Sequence, residues 1–322
     1  MRIAILEAPG SFRLEDRPIP DIEGQQVLLR VAACGVCSSE LDLWEGHAGT
    51  GGLPKAIGHE VSGVVEQVGA DVTDLNRDDR VAAWVTGRGF AEYVAVEAVY
   101  CFDAGDIPLD LTLGEPLACA VNAVERADPK LGDDVVIIGA GFMGNLVQKL
   151  VQLRGPRNVI VADTRPDALE RAARIGATHT VDVRSESLRE VVQSLTGDRG
   201  ADVSFEVTGA QGGLDAAGDV TRMEGTLAIV GYHQGGSREI PLARWNWMAF
   251  RIANCHFRDV DTILHGMRTG MRLMGSGNIA LDDLVSHRFS LSDIGQAFQT
   301  AHDKPPGFVK ATVVFGRDLP VR

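Results

Sequence analysis

The stretch that most constrains the fold is a glycine-rich segment at residues 135–144, which reads Val-Val-Ile-Ile-Gly-Ala-Gly-Phe-Met-Gly. Four apolar residues, enough for a short buried strand, precede Gly139, and a helical pattern begins at Gly144. A lone G-x-G-x-x-G string has low specificity, but a strand before it and a helix after it form the context in which a backbone approaches a pyrophosphate. The segment therefore predicts the first βαβ unit of a dinucleotide-binding domain.

Each position of this segment has a predicted task. Gly139 permits the tight turn, Gly141 lets the backbone approach the phosphates, and Gly144 lets helix and strand pack closely. Phe142 and Met143 complete the turn at the amino end of the helix, where the helix dipole favours phosphate. The alternative, that these glycines merely close a turn, stays open at this point.

The ends of later strands indicate which dinucleotide is bound. Asp163 ends the second predicted strand, 19 residues after Gly144, where a carboxylate can accept both ribose hydroxyls of NAD and would repel a 2′-phosphate. Arg165 lies two residues further on and would favour NADP instead. We expect NAD, with Thr208 and Gly231 at two later strand ends beside the nicotinamide half.

Short apolar runs alternate with helical patterns through the middle of the chain. Strands are predicted at 135–138, 159–162, 179–183, 203–207 and 226–230, and helices at 144–154, 167–175, 187–195 and 214–223. This alternation implies right-handed βαβ units and a parallel sheet covered on both faces. We therefore expect a doubly wound α/β domain over residues 118–259.

The amino-terminal part has a different pattern, with short β-like runs and weak helix signals. Strands are predicted at 3–6, 27–33, 61–68, 81–85 and 91–96, and a bridging helix at 115–124 has a proline in its first turn. The carboxyl-terminal part, with helices to about 274 and at 292–302 and strands at 285–289 and 309–314, is expected to return to this unit. The predicted domains are thus 1–117 with 260–322, and 118–259.

Composition excludes several classes of partner. The formal net charge is -13, which argues against nucleic acid, because phosphate binding needs a basic face. No apolar run approaches the ~20 residues of a membrane span, and the amino terminus does not have the apolar core of a signal peptide. Five scattered cysteines suit a reducing compartment. We expect a cytoplasmic protein with a small-molecule partner and no membrane or nucleic-acid partner.

Metal ligands are suggested by two short segments of the amino-terminal part. One reads Cys34-Gly35-Val36-Cys37 and the other Gly58-His59-Glu60. Thiolate, imidazole and carboxylate are zinc ligands, so we interpret the pair of segments as a catalytic zinc site. A redox C-x-x-C or half of a structural zinc knuckle is the alternative, although the chain has no second such pair.

Together these motifs identify a family resemblance that extends over essentially the whole chain. The segments that carry it are Gly35-Val36-Cys37-Ser38-Ser39-Glu40, Gly58-His59-Glu60, Asp79-Arg80-Val81, Gly89-Phe90-Ala91-Glu92-Tyr93, Glu115-Pro116-Leu117, the glycine segment and Gly176-Ala177-Thr178. The chain resembles the zinc-dependent medium-chain dehydrogenases/reductases, the superfamily of alcohol, sorbitol and threonine dehydrogenases. The resemblance implies a GroES-like β-rich catalytic domain and a Rossmann domain. Only Ala82 to Arg88 stand where many relatives insert a lobe with a structural zinc, so we expect one zinc per chain.

The resemblance also implies roles for individual residues. Cys37 and His59 fall on the first two zinc ligands, and Glu115 on the third, as in the polyol and threonine branch. Glu60 matches a neighbouring carboxylate that binds zinc or moves away. Ser39 matches the hydroxyl that hydrogen-bonds the alcohol and passes its proton outward. The alternative for Glu115 is a plain acidic residue favoured at a helix amino terminus.

Two positions depart from the family pattern and two are expected near the substrate. Glu40 replaces a usual Asp, so its bond to a ligand histidine must reach one methylene further, and Asp42 stands where many relatives have the last histidine of the proton relay. Trp44 is expected in the substrate wall, with a core role as the alternative. Arg258 is expected to meet substrate hydroxyls, with a salt bridge at a subunit interface equally open.

The resulting hypothesis is an oxidoreductase that moves a hydride between a secondary alcohol and NAD to give the ketone. A sugar, polyol, cyclitol or amino alcohol is the expected substrate class, and a homodimer or homotetramer the expected assembly. One alternative is a zinc-free quinone or enoyl reductase of the same superfamily. Another is a non-catalytic NAD(P)-binding protein that kept the fold.

Overall fold

The computed structural model describes residues 1–47 and 52–316. It divides the chain into two units: unit 1 consists of Met1–Ala118 and Met267–Arg322, and unit 2 of Cys119–Gly266. These boundaries lie one and seven residues from those expected from the sequence.

Fifteen strands and nine helices are found in the described part of the chain. The strands are β1 (Arg2–Ala8), β2 (Ser11–Asp16), β3 (Gln26–Gly35), β4 (Glu60–Val68), β5 (Arg80–Trp84), β6 (Tyr93–Glu97), β7 (Cys101–Asp103), β8 (Asp134–Ile138), β9 (Asn158–Asp163), β10 (His179–Asp182), β11 (Ala201–Glu206), β12 (Thr221–Ile229), β13 (Arg251–Asn254), β14 (His287–Ser290) and β15 (Ala311–Val314). The helices are α1 (Ser38–Glu45), α2 (Gly114–Ala127), α3 (Phe142–Gln152), α4 (Pro166–Ile175), α5 (Leu188–Thr196), α6 (Gln211–Val220), α7 (Leu242–Trp247), α8 (Val260–Gly275) and α9 (Ile294–Asp303). In these described ranges, no helix combines the length and the apolar character needed to cross a bilayer.

Unit 1 is organised around one seven-stranded sheet with the order β14-β15-β3-β4-β5-β7, in which β6 also pairs with β3. The long central strand β3 is largely apolar and lies beside β4 and β15 in antiparallel register. The carboxyl-terminal part of the chain therefore supplies β14 and β15 to the sheet of unit 1. The register sets Gly35 opposite Glu60 and opposite Thr312, which brings three distant segments together at one end of β3.

Helix α1 was not predicted, because its eight residues are too few to show a clear apolar period. It begins after Cys37, which has an extended backbone, and ends at Gly46, whose φ of 82° is in the left-handed region that glycine favours. Glu40, Leu41 and Trp44 are its buried residues. Burial of this one face stabilises a helix that local propensity alone would leave marginal.

Unit 2 has one parallel sheet with the order β10-β9-β8-β11-β12-β13. Strand β8 is buried along its whole length, and the order matches the doubly wound arrangement with its switch point between β8 and β11. This confirms the α/β prediction. The sequence prediction missed β13 and α7: β13 exposes three of its four residues and therefore lacks the apolar run that marks a buried strand.

Candidate metal centre and nucleotide site

Three potential metal ligands come together in unit 1. Ligand atoms of Cys37, His59 and Glu60 all lie within 4.8 Å of one another. Cys37 precedes α1, His59 precedes β4, and Glu60 is the first residue of β4. Sulfur, nitrogen and oxygen donors in one small volume fit the zinc ion that the sequence predicted.

The His59 ring is oriented by Glu40 on α1. Nδ1 of His59 lies 2.9 Å from Oε1 of Glu40, and the same oxygen accepts the Gly58 backbone N–H at 2.6 Å. Because Nδ1 donates to this carboxylate, Nε2 is left as the ring nitrogen for a metal. Glu40, which stands in place of the usual aspartate, therefore reaches the histidine with its extra methylene.

The charges around the trio favour a cation. Burial alone would lower the pKa of His59, but the carboxylate of Glu40 and then the sulfur of Cys37 raise that pKa well above its ordinary value. The pKa of Cys34 is also raised well above its ordinary value, by burial first and then by Glu40 and Glu60. Cys34 thus stays a protonated thiol, which is not the form that binds metal.

Lys310 is a residue of the site that the sequence prediction missed. Its Nζ lies 2.7 Å from Oε2 of Glu60 and donates to Oε1 at the same distance. The lysine is 5% exposed, so Glu60 is held by a buried ion pair. A Cβ at position 35 would lie 1.9 Å from Oε2 of Glu60, so Gly35 leaves the space that the pair occupies. In the sequence, Lys310 could have been recognised as the one charged residue in the largely apolar run 308–314.

Glu115 is also near this charge cluster but does not belong to the trio. It lies in the first turn of α2. Burial would lower the pKa of Lys310, yet Glu60, then Cys37, and last Glu115 raise it. The carboxylate of Glu115 therefore acts on the same lysine that binds Glu60. Its place as a further ligand stays a prediction.

Ser39 and Asp42 lie on α1, three residues apart. The Ser39 hydroxyl donates to the sulfur of Cys37 at 3.3 Å, which places it beside the predicted metal ligands. Asp42 lies 3.7 Å from Nδ1 of His47. The same nitrogen lies closer to Glu45, at 3.0 Å, and the His47 side chain is mostly exposed, so the role of Asp42 in proton transfer stays a prediction.

The two residues predicted to contact substrate have other neighbours in the structure. Trp44 is 8% exposed, and its ring lies 6.2 Å from that of Phe298 in the core of unit 1. This packing supports the core role that was its alternative. Arg258 of unit 2 donates to the carbonyl of Phe257 at 2.6 Å, and within the described ranges it forms no ion pair. Its substrate contact stays a prediction.

The glycine segment in unit 2 has the geometry that nucleotide binding requires. Gly139 has a φ of 105°, and a Cβ at Gly144 would lie 1.8 Å from the Gly139 carbonyl oxygen, so neither position tolerates a side chain. Helix α3 starts at Phe142, and Gly141 precedes it in an extended conformation. Asp163 accepts the Ala140 N–H at 2.7 Å, which ties the end of β9 to the glycine turn.

Thr208 and Gly231 follow neighbouring parallel strands and meet at a second missed residue, Glu206. The backbone N–H of Thr208 donates to the Glu206 side chain at 2.7 Å, and that of Gly231 donates to the Glu206 carbonyl at 2.9 Å. In the sequence, Glu206 could have been recognised as a single acidic residue at the end of an apolar strand.

Comparison with known proteins agrees with this geometry. The alcohol dehydrogenase GroES-like domain family matches residues 23–106, and the zinc-binding dehydrogenase family matches residues 143–267. Sorbitol dehydrogenase from Gallus gallus is 31% identical over an alignment that covers 92% of each chain.

Solved structures give the same result for the fold. The structure of 2R,3R-butanediol dehydrogenase from Bacillus subtilis is 25% identical, with a TM-score of 0.86 and coverage of 98% of this chain and 99% of that one. A protein described as a zinc-binding dehydrogenase from Sinorhizobium meliloti 1021, bound to NADP, is 26% identical with a TM-score of 0.84 and the same coverage. The chain therefore belongs to the zinc-dependent medium-chain dehydrogenases/reductases, as an alcohol or polyol dehydrogenase that uses zinc and a nicotinamide cofactor.

Proposed function

We propose that this protein oxidises a secondary alcohol of a polyol, sugar, cyclitol or amino alcohol to the ketone, with NAD as hydride acceptor. The observation that carries the proposal is the trio of Cys37, His59 and Glu60, with the histidine oriented by Glu40. In the relatives with similar sequences, the named substrates are sorbitol and butanediol, which both carry secondary hydroxyls. Their chemistry supports this substrate class.

The residues of unit 1 would divide the work at the alcohol. Bound zinc would supply Lewis acidity that favours loss of the hydroxyl proton. Cys37 and His59 would hold the ion. Glu60 would be shared between it and Lys310, because Oε1 accepts a hydrogen bond from the lysine, whereas Oε2, in ion-pair distance of the same lysine, is buried and accepts no hydrogen bond. Ser39, beside the sulfur of Cys37, would accept the proton from the alcohol oxygen and pass it outward.

The choice of NAD rests on the end of β9. Asp163 is only partly occupied by its bonds to the backbone N–H groups of Ala140 and Arg165, since a carboxylate offers about four acceptor sites. The remaining sites can accept ribose hydroxyls, and the negative charge opposes a 2′-phosphate. Nε of Arg165 lies 3.5 Å from the same carboxylate. This ion pair neutralises part of the positive charge with which Arg165 would attract the 2′-phosphate of NADP.

We also propose a homodimer or homotetramer assembled through unit 2. Strand β13 is at the edge of its sheet and pairs with β12 alone among the described strands. Its Ile252 is exposed, and Trp247, five residues earlier, is 78% exposed. An open strand edge beside large exposed apolar side chains favours association with another chain. Light scattering after gel filtration tests this, and a monomeric wild-type protein would refute it.

The experiment that tests the function is a panel of polyols, sugars, cyclitols and amino alcohols with NAD and with NADP, followed by the absorbance of the reduced cofactor. We expect turnover of at least one secondary alcohol, with NAD preferred. Cys37→Ser should lose both zinc and turnover. Retention of zinc and full activity in that variant would contradict the proposed function. A preference for NADP would contradict the proposed choice of NAD.

A further inference from the structure

A buried carboxylate connects the loops at the carboxyl ends of two strands in unit 2. Glu206 ends β11 and is 0% exposed. Its Oε1 accepts the N–H of Thr208 at 2.7 Å, the hydroxyl of Thr208 at 2.5 Å and the N–H of Gly209 at 2.9 Å. Its Oε2 lies 2.8 Å from Nε2 of His233. Both oxygens are therefore used, which offsets the cost of burying the charge.

Arg238 determines whether His233 donates or accepts in its hydrogen bond with Glu206. Arg238 donates from Nε to Nδ1 of His233 at 3.2 Å, so Nδ1 is an acceptor and the ring proton is on Nε2. His233 therefore donates to Glu206. We refer to Glu206, His233 and Arg238 as the clasp.

Arg238 also folds the loop that follows β12. Its guanidinium donates to backbone carbonyls at distances of 2.7–3.3 Å, and these belong to Gly209, Gln234, Gly236 and Ser237. The loop at 232–238 is thereby wrapped around one side chain, and the bond to Gly209 joins it to the loop that follows β11. Arg238 and Glu206 thus each contact both loops through their side chains.

Glycines allow the two loops to come this close. A Cβ at Gly231 would lie 2.2 Å from the backbone nitrogen of Gly209 and 2.6 Å from Oε2 of Glu206. A Cβ at Gly213 would lie 2.8 Å from Oε1 of Glu206. A side chain at either position would therefore collide with the Glu206 carboxylate.

The position of these loops indicates what they bind. In a doubly wound sheet, a dinucleotide lies across the carboxyl ends of the strands, with one mononucleotide on each half of the sheet. The glycine turn after β8 and Asp163 after β9 belong to the first half, and the loops after β11 and β12 belong to the second. A Cβ at Gly139 would meet Cγ2 of Thr208 at 3.0 Å, so the two halves adjoin at Thr208.

We propose that the clasp consists of positioning residues for the nicotinamide half of the cofactor, holding the loops after β11 and β12 at a fixed separation. This inference rests on the proposed use of a nicotinamide dinucleotide. It predicts that loss of the clasp weakens binding of the nicotinamide half while the ADP-ribose half, held by the glycine turn and Asp163, binds as before.

The test compares two nucleotides on the full-length protein. Dissociation constants for NADH and for ADP-ribose are measured by calorimetry in the wild type, His233→Ala and His233→Gln. We expect His233→Ala to raise the dissociation constant of NADH about tenfold, the effect of losing one hydrogen bond to a charged group. The dissociation constant of ADP-ribose should change by less than about twofold. His233→Gln keeps a donor for Oε2 and should recover part of the NADH affinity.

A matched control is another imidazole–carboxylate pair of the same unit. His265 lies 2.9 Å from Glu125, and both side chains are exposed. His265→Ala should leave both affinities unchanged. Equal weakening of NADH and ADP-ribose in His233→Ala, or no weakening of either, would overturn the inference. A wild type that binds neither nucleotide would instead refute the proposed cofactor, so the two failures are distinguishable.

Discussion

The ion pair between Glu60 and Lys310 lies where water hardly reaches, and each partner depends on the other. Removal of one member of such a pair leaves an uncompensated buried charge. Lys310→Met should therefore lower the unfolding free energy of the metal-free protein by about 3–5 kcal/mol. With zinc present the loss should be smaller, because the metal supplies a positive charge to Glu60. Urea unfolding with and without chelator measures both values.

The control for this comparison is Lys55→Met, in which an exposed lysine of the same unit is replaced. Its stability should change little in either condition. An equal loss for Lys310→Met with and without zinc would show that Glu60 does not share its charge with the metal.

Gly35 shows how a single missing side chain makes space for this pair. A Cβ there would lie 1.9 Å from Oε2 of Glu60 and 3.1 Å from Cε of Lys310. Gly35→Ala should lower the unfolding free energy by about 1–3 kcal/mol, as overpacking does, and weaken zinc binding because Glu60 must move. Thermal unfolding and a zinc titration check the two effects.

Gly295 in α9 provides the matched substitution, since a Cβ there meets nothing within 4 Å. Gly295→Ala should raise the unfolding free energy by about 0.5–1 kcal/mol through helix propensity. A Gly35→Ala protein as stable as the wild type would mean that the Glu60–Lys310 pair has room to shift.

At the scale of elements, helix α1 contributes to the metal centre by orienting His59, a ligand that is not part of the helix. Glu40 binds both the Gly58 N–H and Nδ1 of His59, so it sets the ring orientation. Glu40→Gln should lower zinc affinity about 10–100-fold, the usual cost of losing such a partner. Competition with a chromophoric chelator measures this affinity.

Glu40→Asp keeps the charge but is one methylene shorter, so we expect a smaller loss of affinity. Glu45→Gln, at the other end of the same helix, should bind zinc like the wild type. If Glu40→Gln also did so, the ring would be oriented by the backbone alone.

Helix α1 also marks the limit of what the sequence could predict about elements. Unit 2 was predictable because its strands are buried on both faces, so that uninterrupted apolar runs such as 135–138 stand out between helical patterns. The eight residues of α1 and the exposed strand β13 lack such a signal, and tertiary packing determines their structure instead.

The same distinction applies within the site. Cys37, His59 and Glu60 were predictable because neighbouring residues form recognisable short motifs with ligand chemistry. Lys310 is 250 positions from Glu60, and only the antiparallel pairing of β15 with β3 brings it close. Glu206 and His233 likewise meet through parallel strand order, which no local pattern encodes.

At the scale of the whole molecule, the state of the cysteines limits how many zinc ions the chain can hold. All five are free. Burial raises the pKa of Cys101 to about 12, and burial first, with a smaller opposing effect of Arg126, raises that of Cys255 to about 11. Both remain thiols at neutral pH, and the thiolate is the form that binds metal.

We therefore expect one equivalent of zinc per chain, held through Cys37. Elemental analysis of the purified protein should give one zinc per chain in the wild type and in Cys101→Ser, and none in Cys37→Ser. The Cys101 variant is the matched control because it removes a sulfur of the same unit that burial keeps protonated. A wild type with two equivalents, or a Cys37→Ser protein that keeps one, would require a second sulfur site and would show that burial does not prevent these thiols from binding metal.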